Sequence, residues 1–320
     1  MKRLTNDNLK NRLKNVNGSV WALILMIVLA SLISPRFLQT SNIINNIRSI
    51  SISGVLAMGM TFVILTGGID LSVGAVVSFV SVVSAKLICM NVPIPLVMVI
   101  GVLAGALLGL LNGIGVVKGR IVPFIMTMGS MTAIQGLTLM ISHGAPVSIL
   151  AYSEKFNWFA AGKLWGIPVP VYIFGILIVI LAFILKYTTF GRCIYAVGDN
   201  KEAARLAGIK VQTVEMMVYV ICGMLSGFAA LIYTSRLLSG DPTSGNGMEL
   251  DAIAMVIIGG TSSLGGQGSV WGTLIGAGII VVLNNVLNLQ GVSPFLQQIL
   301  QGLIIVAAVL IDRIRTRDRG

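Results

Sequence analysis

Long apolar runs decide what this chain can fold into. Ten stretches of mostly apolar residues follow one another, separated by short polar segments or by glycine and proline. Most of them are close to the ~20 residues that an α-helix needs to cross the hydrocarbon core of a bilayer. The runs lie at 19–37, 49–66, 71–89, 95–117, 121–142, 167–186, 214–238, 251–262, 269–289 and 294–311.

The composition agrees with a chain embedded in lipid. Hydrophobic residues make up 56% of the 320 residues, and the mean hydropathy is +0.94. A soluble core of this size could not bury so much apolar surface. The alternation of apolar and polar residues that marks a transmembrane β-barrel is absent from the sequence. The sequence therefore predicts an all-α integral membrane protein with about ten transmembrane helices in a single domain, residues 1–320.

The basic residues predict the orientation of the chain. Most of the 22 Lys and Arg residues lie in four segments: an arm at 1–18, a turn at 118–120, a loop at 186–213 and a tail at 312–320. Ten spans place all four segments on the same side, and basic residues accumulate on the cytoplasmic side of membrane proteins. We therefore expect both the N-terminus and the C-terminus to be cytoplasmic.

Two pairs of segments suggest an internal repeat. The stretch "LNGIGVVKGRIVPF" at 111–124 resembles "LNNVLNLQGVSPF" at 283–295, and Gly67-Gly68 before the third span echoes Gly259-Gly260 in the eighth. If spans 2–5 and 7–10 are copies, they are five helices apart and inverted in the membrane, which is common among transporters. Chance similarity between helices rich in glycine and leucine is the alternative.

The fourth span carries glycines at a strict spacing of four residues: Gly101, Gly105, Gly109 and Gly113. This spacing places them on one face of the helix, where another backbone can approach closely. The pattern favours helix packing, and a smooth pore wall is the alternative.

Two interruptions of the apolar pattern mark candidate functional positions. In "ILTGGIDLSVGAVVSF", two glycines and Asp70 precede a new helix, and Asp70 is the only carboxylate embedded in an apolar stretch. Asp70 could cap that helix or line a wet cavity, and the two roles are compatible. The short eighth run ends at Gly259-Gly260 and predicts a second broken helix.

The candidate translocation path combines these breaks with uncharged polar residues on the predicted helices. As interhelical contacts such residues need no substrate. A path with hydroxyl and amide groups but almost no charge nevertheless suits a neutral, hydroxyl-rich solute better than an ion. The path is predicted from Gly67, Gly68, Asp70, Ser72, Asn112, Gly259, Gly260, Asn284 and Asn288.

The stretch "GDNKEAARLAGIK" at 198–210 is a charged island in an apolar chain. Asp199 is predicted to cap a short helix, and it forms a pair resembling a capping box with Glu202, three positions further on. Leu206 lies on the apolar face of this helix, and Gly208 is predicted to end it. So short a helix is not stable alone in water. It needs a supporting surface, which is either the lipid headgroups or a groove of a cytoplasmic partner.

Four stretches carry a resemblance to a known family. "EAA" followed by Gly208 resembles the coupling loop of ABC importer permeases. "TGGIDLSVGA" at 66–75, "GRCIYAVGDNKEAARLAGI" at 191–209 and "ELDAIAMVIIGGTSSLGGQGSVWGTLIGA" at 249–277 are similar to the monosaccharide branch of that family. The resemblance covers nearly the whole chain.

This resemblance implies a permease subunit in the bacterial cytoplasmic membrane that imports a neutral monosaccharide, with ribose the first expectation. It implies a homodimer, a periplasmic sugar-binding protein and separate subunits that bind ATP and magnesium. No G-x-x-x-x-G-K-[ST] motif occurs in the sequence, so this chain is not expected to be an enzyme or to hold a cofactor. The residues expected to receive the ATPase motion are Glu202, Ala203, Ala204, Arg205, Leu206 and Gly208.

Two further expectations concern the outer face and an alternative mechanism. Asp241, Glu249 and Asp251 are predicted to dock the binding protein. The alternative function is an ion-coupled secondary transporter of a small neutral solute in which Asp70 carries the ion. Neither a metal site nor a catalytic triad can be built from the single His143 and three cysteines, and no nucleic-acid partner is expected.

Overall fold

A computed structural model describes residues 2–152 and 154–317, and these residues fold almost entirely as α-helices. The helices are α1 (Lys2–Ile33), α2 (Thr40–Leu65), α3 (Val73–Cys89), α4 (Ile94–Val117), α5 (Pro123–Ser142), α6 (Glu154–Ala161), α7 (Val169–Tyr187), α8 (Thr189–Asp199), α9 (Lys201–Leu206), α10 (Val211–Leu237), α11 (Met248–Ile258), α12 (Val270–Leu289) and α13 (Pro294–Arg317). The all-helical prediction is confirmed.

Four two-residue strands form two small antiparallel pairs beside the helices. β1 (Val147–Ser148) pairs with β4 (Ser239–Gly240), and β2 (Lys163–Leu164) pairs with β3 (Ile167–Pro168). The first pair ties the segment after α5 to the segment after α10.

Each predicted apolar run contains a helix, but the helices differ in length. Six of them are long and apolar enough to cross a membrane: α2, α4, α5, α7, α10 and α12. The other apolar stretches are shorter, at Gly18–Ile33, Val73–Cys89 and Pro294–Ala307. Helix α11 has 11 residues, so its length is about 16 Å, roughly half of a hydrocarbon core. Ten spans therefore remain a prediction.

Helices α2 and α10 form the centre of the described fold and pack against each other. Helix α2 also packs against α11 and α12, while α10 packs against α3 and α4. On the outside, α5 contacts α3, and α13 contacts α11. The helices α2–α5 correspond in order to α10–α13. Each contact named here within or between these two groups is matched by a contact between the corresponding helices.

The glycine face of α4 is a packing surface. Gly101, Gly105, Gly109 and Gly113 are all buried, and Gly105 faces the backbone of Gly223 on α10. A side-chain carbon at Gly105 would collide with the carbonyl oxygen of Gly223. The packing interpretation is confirmed, because the face is filled by a neighbouring helix.

A non-helical segment, residues 239–247, connects α10 to α11 and lies along α3; it begins with strand β4 and continues as a series of turns. Its first part packs on Ala85, since Gly240 leaves no room there for a side chain. Further along, the backbone N–H of Gly245 donates a hydrogen bond of 2.9 Å to the Ser78 hydroxyl, and Gly245 also lies against Gly74. The segment thus follows α3 from its C-terminal half to its first turn, where α11 begins.

Candidate functional site

The charged island folds as the end of α8 followed by α9. Thr188 caps α8, accepting a hydrogen bond of 3.1 Å from the N–H of Gly191. Asp199 is the last residue of α8, so its predicted role as the cap of the next helix is wrong. Asn200 takes that role: its backbone is extended, and its Oδ1 accepts a hydrogen bond of 2.9 Å from the N–H of Ala203.

Helix α9 ends where the sequence predicts. Gly208 has a φ of +82°, a left-handed conformation that glycine adopts without steric cost. The N–H of Ile209 donates to the carbonyl of Ala204, and the N–H of Gly208 donates to that of Arg205, each over 3.0 Å. The long bond closes a Schellman-type C-terminus. Gly208 is therefore confirmed as the stop of this helix.

The faces of α9 differ in what they contact. Ala204 is buried in the main core and anchors the helix. Leu206, in contrast, is 78% exposed, and Ala203 and Ala207 are exposed on the same side. The helix thus buries one apolar side chain and leaves the side with Leu206 without a covering element among the described residues.

Among the described residues, the charged side chains of α9 form two ion pairs. Lys201 Nζ lies 2.6 Å from Glu215 Oε1 and ties α9 to α10. Arg205 lies 2.6 Å from Glu202 within the helix, and this guanidinium lowers the pKa of the Glu202 carboxyl. Glu202 is thus paired with Arg205, and it does not close the predicted capping box.

A glycine junction connects α8 to both predicted breaks. We use this name for Leu65, Gly67, Gly198, Gly265 and Gly266. The N–H of Gly266 donates a hydrogen bond of 2.9 Å to the carbonyl of Leu65, and Gly198 packs on both residues so closely that no side chain fits. Gly265 lies against the backbone of Gly67. The end of α2, the turn after α11 and the end of α8 therefore meet at one point.

A second hydrogen bond reinforces the junction. The hydroxyl of Tyr195 on α8 donates to the carbonyl of Gly268 over 2.9 Å. A displacement of α8 would therefore be transmitted to the 259–269 turn by direct contact.

The first break forms a buried polar network. Asp70 Oδ1 accepts hydrogen bonds from the backbone N–H of Ser72 at 2.9 Å and from its hydroxyl at 2.6 Å. Asn112 Nδ2 on α4 donates to the Ser72 hydroxyl over 2.7 Å. All three residues are buried, and Gly68 beside them packs on the Tyr219 hydroxyl. Asp70 stabilises the turn that starts α3, for which Ser72 is the N-cap residue.

The other predicted path residues lie apart from this network. Gly259 packs on Gly272 of α12, and no atom lies near the position that a side chain at Gly260 would take. Asn284 is half-buried, while Asn288 is exposed and accepts a hydrogen bond of 2.9 Å from Gln297 Nε2. Gly259 therefore lies against the start of α12 and the two asparagines lie near its end, so the structure does not bring the predicted path residues together at one place.

An amide pair that the sequence analysis did not include joins α2 to α12. Asn42 Nδ2 donates to Asn285 Oδ1 over 3.0 Å, and Asn285 Nδ2 donates to Asn42 Oδ1 over 2.8 Å. Asn42 lies before the apolar run at 49–66, so the hydropathy pattern gave no reason to consider it.

The three carboxylates predicted to dock a binding protein do not share one surface. Asp241 is half-buried, and its Oδ1 accepts a bond of 2.7 Å from the N–H of Thr243. Glu249 and Asp251 lie in the first turn of α11. Asp251 accepts a hydrogen bond from Gln301 on α13. Their docking role stays a prediction.

Comparison with known proteins gives a consistent result. The family described as the permease component of the branched-chain amino acid transport system matches residues 42–309. The ribose import permease protein RbsC of Bacillus subtilis is 46% identical over 98% of this chain and 96% of its own length. RbsC of Escherichia coli K12 is 42% identical over 92% of both chains.

A third relative is named as a permease for a different sugar. The D-allose transport system permease protein AlsC of Escherichia coli K12 is 39% identical over 93% of this chain and 91% of its own length. No solved structure matches the chain. The family match spans most of the sequence, and each of these relatives aligns over nearly its full length. The chain is therefore a multi-pass membrane protein that belongs to this family of transport permease components.

Proposed function

We propose that the chain is the membrane-spanning subunit of a binding-protein-dependent ABC importer that carries a neutral monosaccharide, ribose first, into the cytoplasm. The observation that carries this proposal is the 46% identity to a ribose import permease over 98% of the chain. The 39% identity to AlsC, a D-allose permease, makes another aldose the second candidate for the transported sugar.

The architecture that accompanies this function has ten spans and cytoplasmic termini. Three shorter apolar helices supplement the six long ones, and α11, which has 11 residues, completes the tenth span together with the segment 239–247 that precedes it. Helices α2–α5 and α10–α13 are the two inverted copies. Their matching neighbours support this assignment, since α2 packs on α12 as α4 packs on α10.

The energy for transport comes from separate ATP-binding subunits that hold magnesium and contact α9. The exposed side chains of Leu206 and Ala203 support this contact, because α9 uses Ala204 for its own anchoring and leaves its other apolar side free. The glycine junction then carries the motion to both breaks. Two copies of the permease form the working channel, and a periplasmic sugar-binding protein delivers the sugar near Asp241.

The direct test is transport in proteoliposomes that contain this chain, its ATP-binding subunits and its sugar-binding protein. We expect labelled ribose to accumulate only when ATP is supplied on the side of the membrane where the ATP-binding subunits lie. Replacement of the P-loop lysine in those subunits is the matched control and abolishes uptake. Uptake that needs only an ion gradient, without ATP-binding subunits, contradicts the proposal.

A further inference from the structure

A cavity whose lining is largely apolar but includes several polar side chains lies between α5, the first turn of α3 and the start of α11. Its volume is about 470 Å³, within the range of small-molecule sites in proteins. Four polar side chains line it, from Thr132, Gln135, Asn246 and Glu249. None of these belongs to the path predicted from the sequence.

The cavity lies near the middle of a span. Thr132 and Gln135 are central in the 20 residues of α5, so they are about equally far from both ends of that helix. The segment 239–247 brings Asn246 to the same place, because it follows α3 down to Gly74. Polar groups half-way along a membrane helix usually mark a pathway.

The hydrogen-bonding capacity of the cavity is not used up by the protein. Gln135 Nε2 donates to the carbonyl of Pro242 over 2.9 Å, while its Oε1 is buried without a partner in the described part of the chain. The Thr132 hydroxyl donates to the carbonyl of Met128 and keeps its acceptor capacity. Glu249 has no Lys or Arg within 4.0 Å among the described residues.

The lining fits a neutral polyhydroxylated molecule. Amide, hydroxyl and carboxylate groups bind sugar hydroxyls as acceptors and donors. The apolar side chains of Met131 and Leu139 line the same space and can pack on the C–H groups of a sugar ring. None of the described residues that line the cavity is basic, which disfavours an anionic solute.

We propose that this cavity is a transit site for the carried sugar, where Gln135, Asn246 and Glu249 bind its hydroxyl groups half-way across the membrane. This inference rests on the proposed import of a monosaccharide. The site holds the sugar after the binding protein has released it and before the cytoplasmic side opens.

The first test compares Gln135→Leu and Asn246→Leu with wild type in the reconstituted importer. ATP hydrolysis stimulated by the loaded binding protein should stay near the wild-type rate, because neither residue belongs to the glycine junction, to α9 or to the carboxylates predicted to dock the binding protein. The ribose moved per ATP should fall about tenfold, as expected when a hydrogen bond from a polar group to the sugar is lost. Gln298→Leu is the matched control, since Gln298 is exposed and lines none of this cavity.

The second test detects the sugar in the cavity directly. Thr132→Cys is placed in a chain whose Cys89, Cys193 and Cys222 are replaced, and it is treated with a charged, water-soluble thiol reagent. Ribose should slow the reaction, while glycine betaine, a neutral solute without hydroxyl groups, should not. Leu137→Cys on the same helix serves as the control and should show no ribose effect.

The outcomes separate this inference from the proposed function. If the wild type imports ribose and both variants move as much ribose per ATP as the wild type, the transit site is overturned and the proposed function stands. Equal losses of ATP hydrolysis and uptake in the variants also overturn it, because they indicate a packing role. Absence of ATP-driven ribose uptake in the wild type overturns the proposed function itself.

Discussion

The N–H of Gly266 donates a hydrogen bond of 2.9 Å to the carbonyl of Leu65, and this bond joins the turn after α11 to the end of α2. Gly198 of α8 packs against both residues. Three elements that are far apart in the sequence therefore meet at one point. A side-chain carbon at position 198 would collide with the backbone of Leu65 and of Gly266, so Gly198 is required there.

Gly198→Ala should disturb this junction. The added methyl group collides with the Leu65 carbonyl, and overpacking of this kind costs about 1–3 kcal/mol. That exceeds the gain of roughly 0.5–1 kcal/mol from replacing glycine inside a helix. We expect a lower unfolding temperature in detergent and reduced ATP-coupled uptake. Gly175→Ala on α7, where no atom lies within 4 Å of the new carbon, should show neither effect.

Leu206→Asp should abolish coupling while the protein stays folded. Leu206 is 78% exposed, so a charge there breaks no internal packing, but it places a carboxylate in the contact that we propose with the ATP-binding subunits. Uptake should fall about tenfold or more, as for a central interface residue. The quantities to measure are uptake and the amount of ATP-binding subunit that copurifies. Leu164→Asp, at an exposed leucine of the β2–β3 pair, should leave both unchanged.

Asp70→Asn should keep ATP-driven transport. The amide oxygen can still accept from the Ser72 N–H, so the turn before α3 survives, with an unfolding free energy lower by about 1–3 kcal/mol for the lost charged hydrogen bonds. Uptake should remain insensitive to a protonophore in both proteins. If uptake vanished in Asp70→Asn and in protonophore-treated wild type alike, Asp70 would carry the ion of a secondary transporter.

The Glu202 carboxyl should titrate below its ordinary value of 4.5, because Arg205 lowers its pKa. A carboxyl with a lowered pKa stabilises the fold above the ordinary pKa, and this contribution disappears as the pH falls through the lowered value. Carbon-13 NMR of labelled glutamate can follow the titration. In Arg205→Gln the midpoint should rise towards 4.5; an unchanged midpoint would exclude the ion pair as the cause.

Hydropathy and glycine spacing were sufficient to predict the helical fold and the face of α4. Both patterns report local chemistry: apolar runs form helices in lipid, and glycine at every fourth position allows backbones to meet. Gly208 was predictable for the same reason, since only the left-handed conformation ends a helix in this way. The cap at Asn200 was missed because α8 continues through Asp199, and propensity cannot locate a helix end to one residue.

The role of the carboxylates could not be read from the sequence. Asp70 stands in an apolar run and was therefore visible, whereas Glu249 follows a polar segment that looks like an ordinary external loop. Only the packing of residues 239–247 along α3 reveals that Glu249 faces α5. Gln135 was overlooked in the same way, because a single amide in an apolar helix gives no periodic signal.

The position of segment 239–247 also bears on how the protein is made. Backbone without helical hydrogen bonds is tolerated at membrane depth only where other protein covers it, and Ser78 and Gly74 of α3 supply part of that cover. Synthesis from the N-terminus produces α3 long before residues 239–247 leave the ribosome. The order of the helices along the chain thus makes part of the cover before the backbone that needs it.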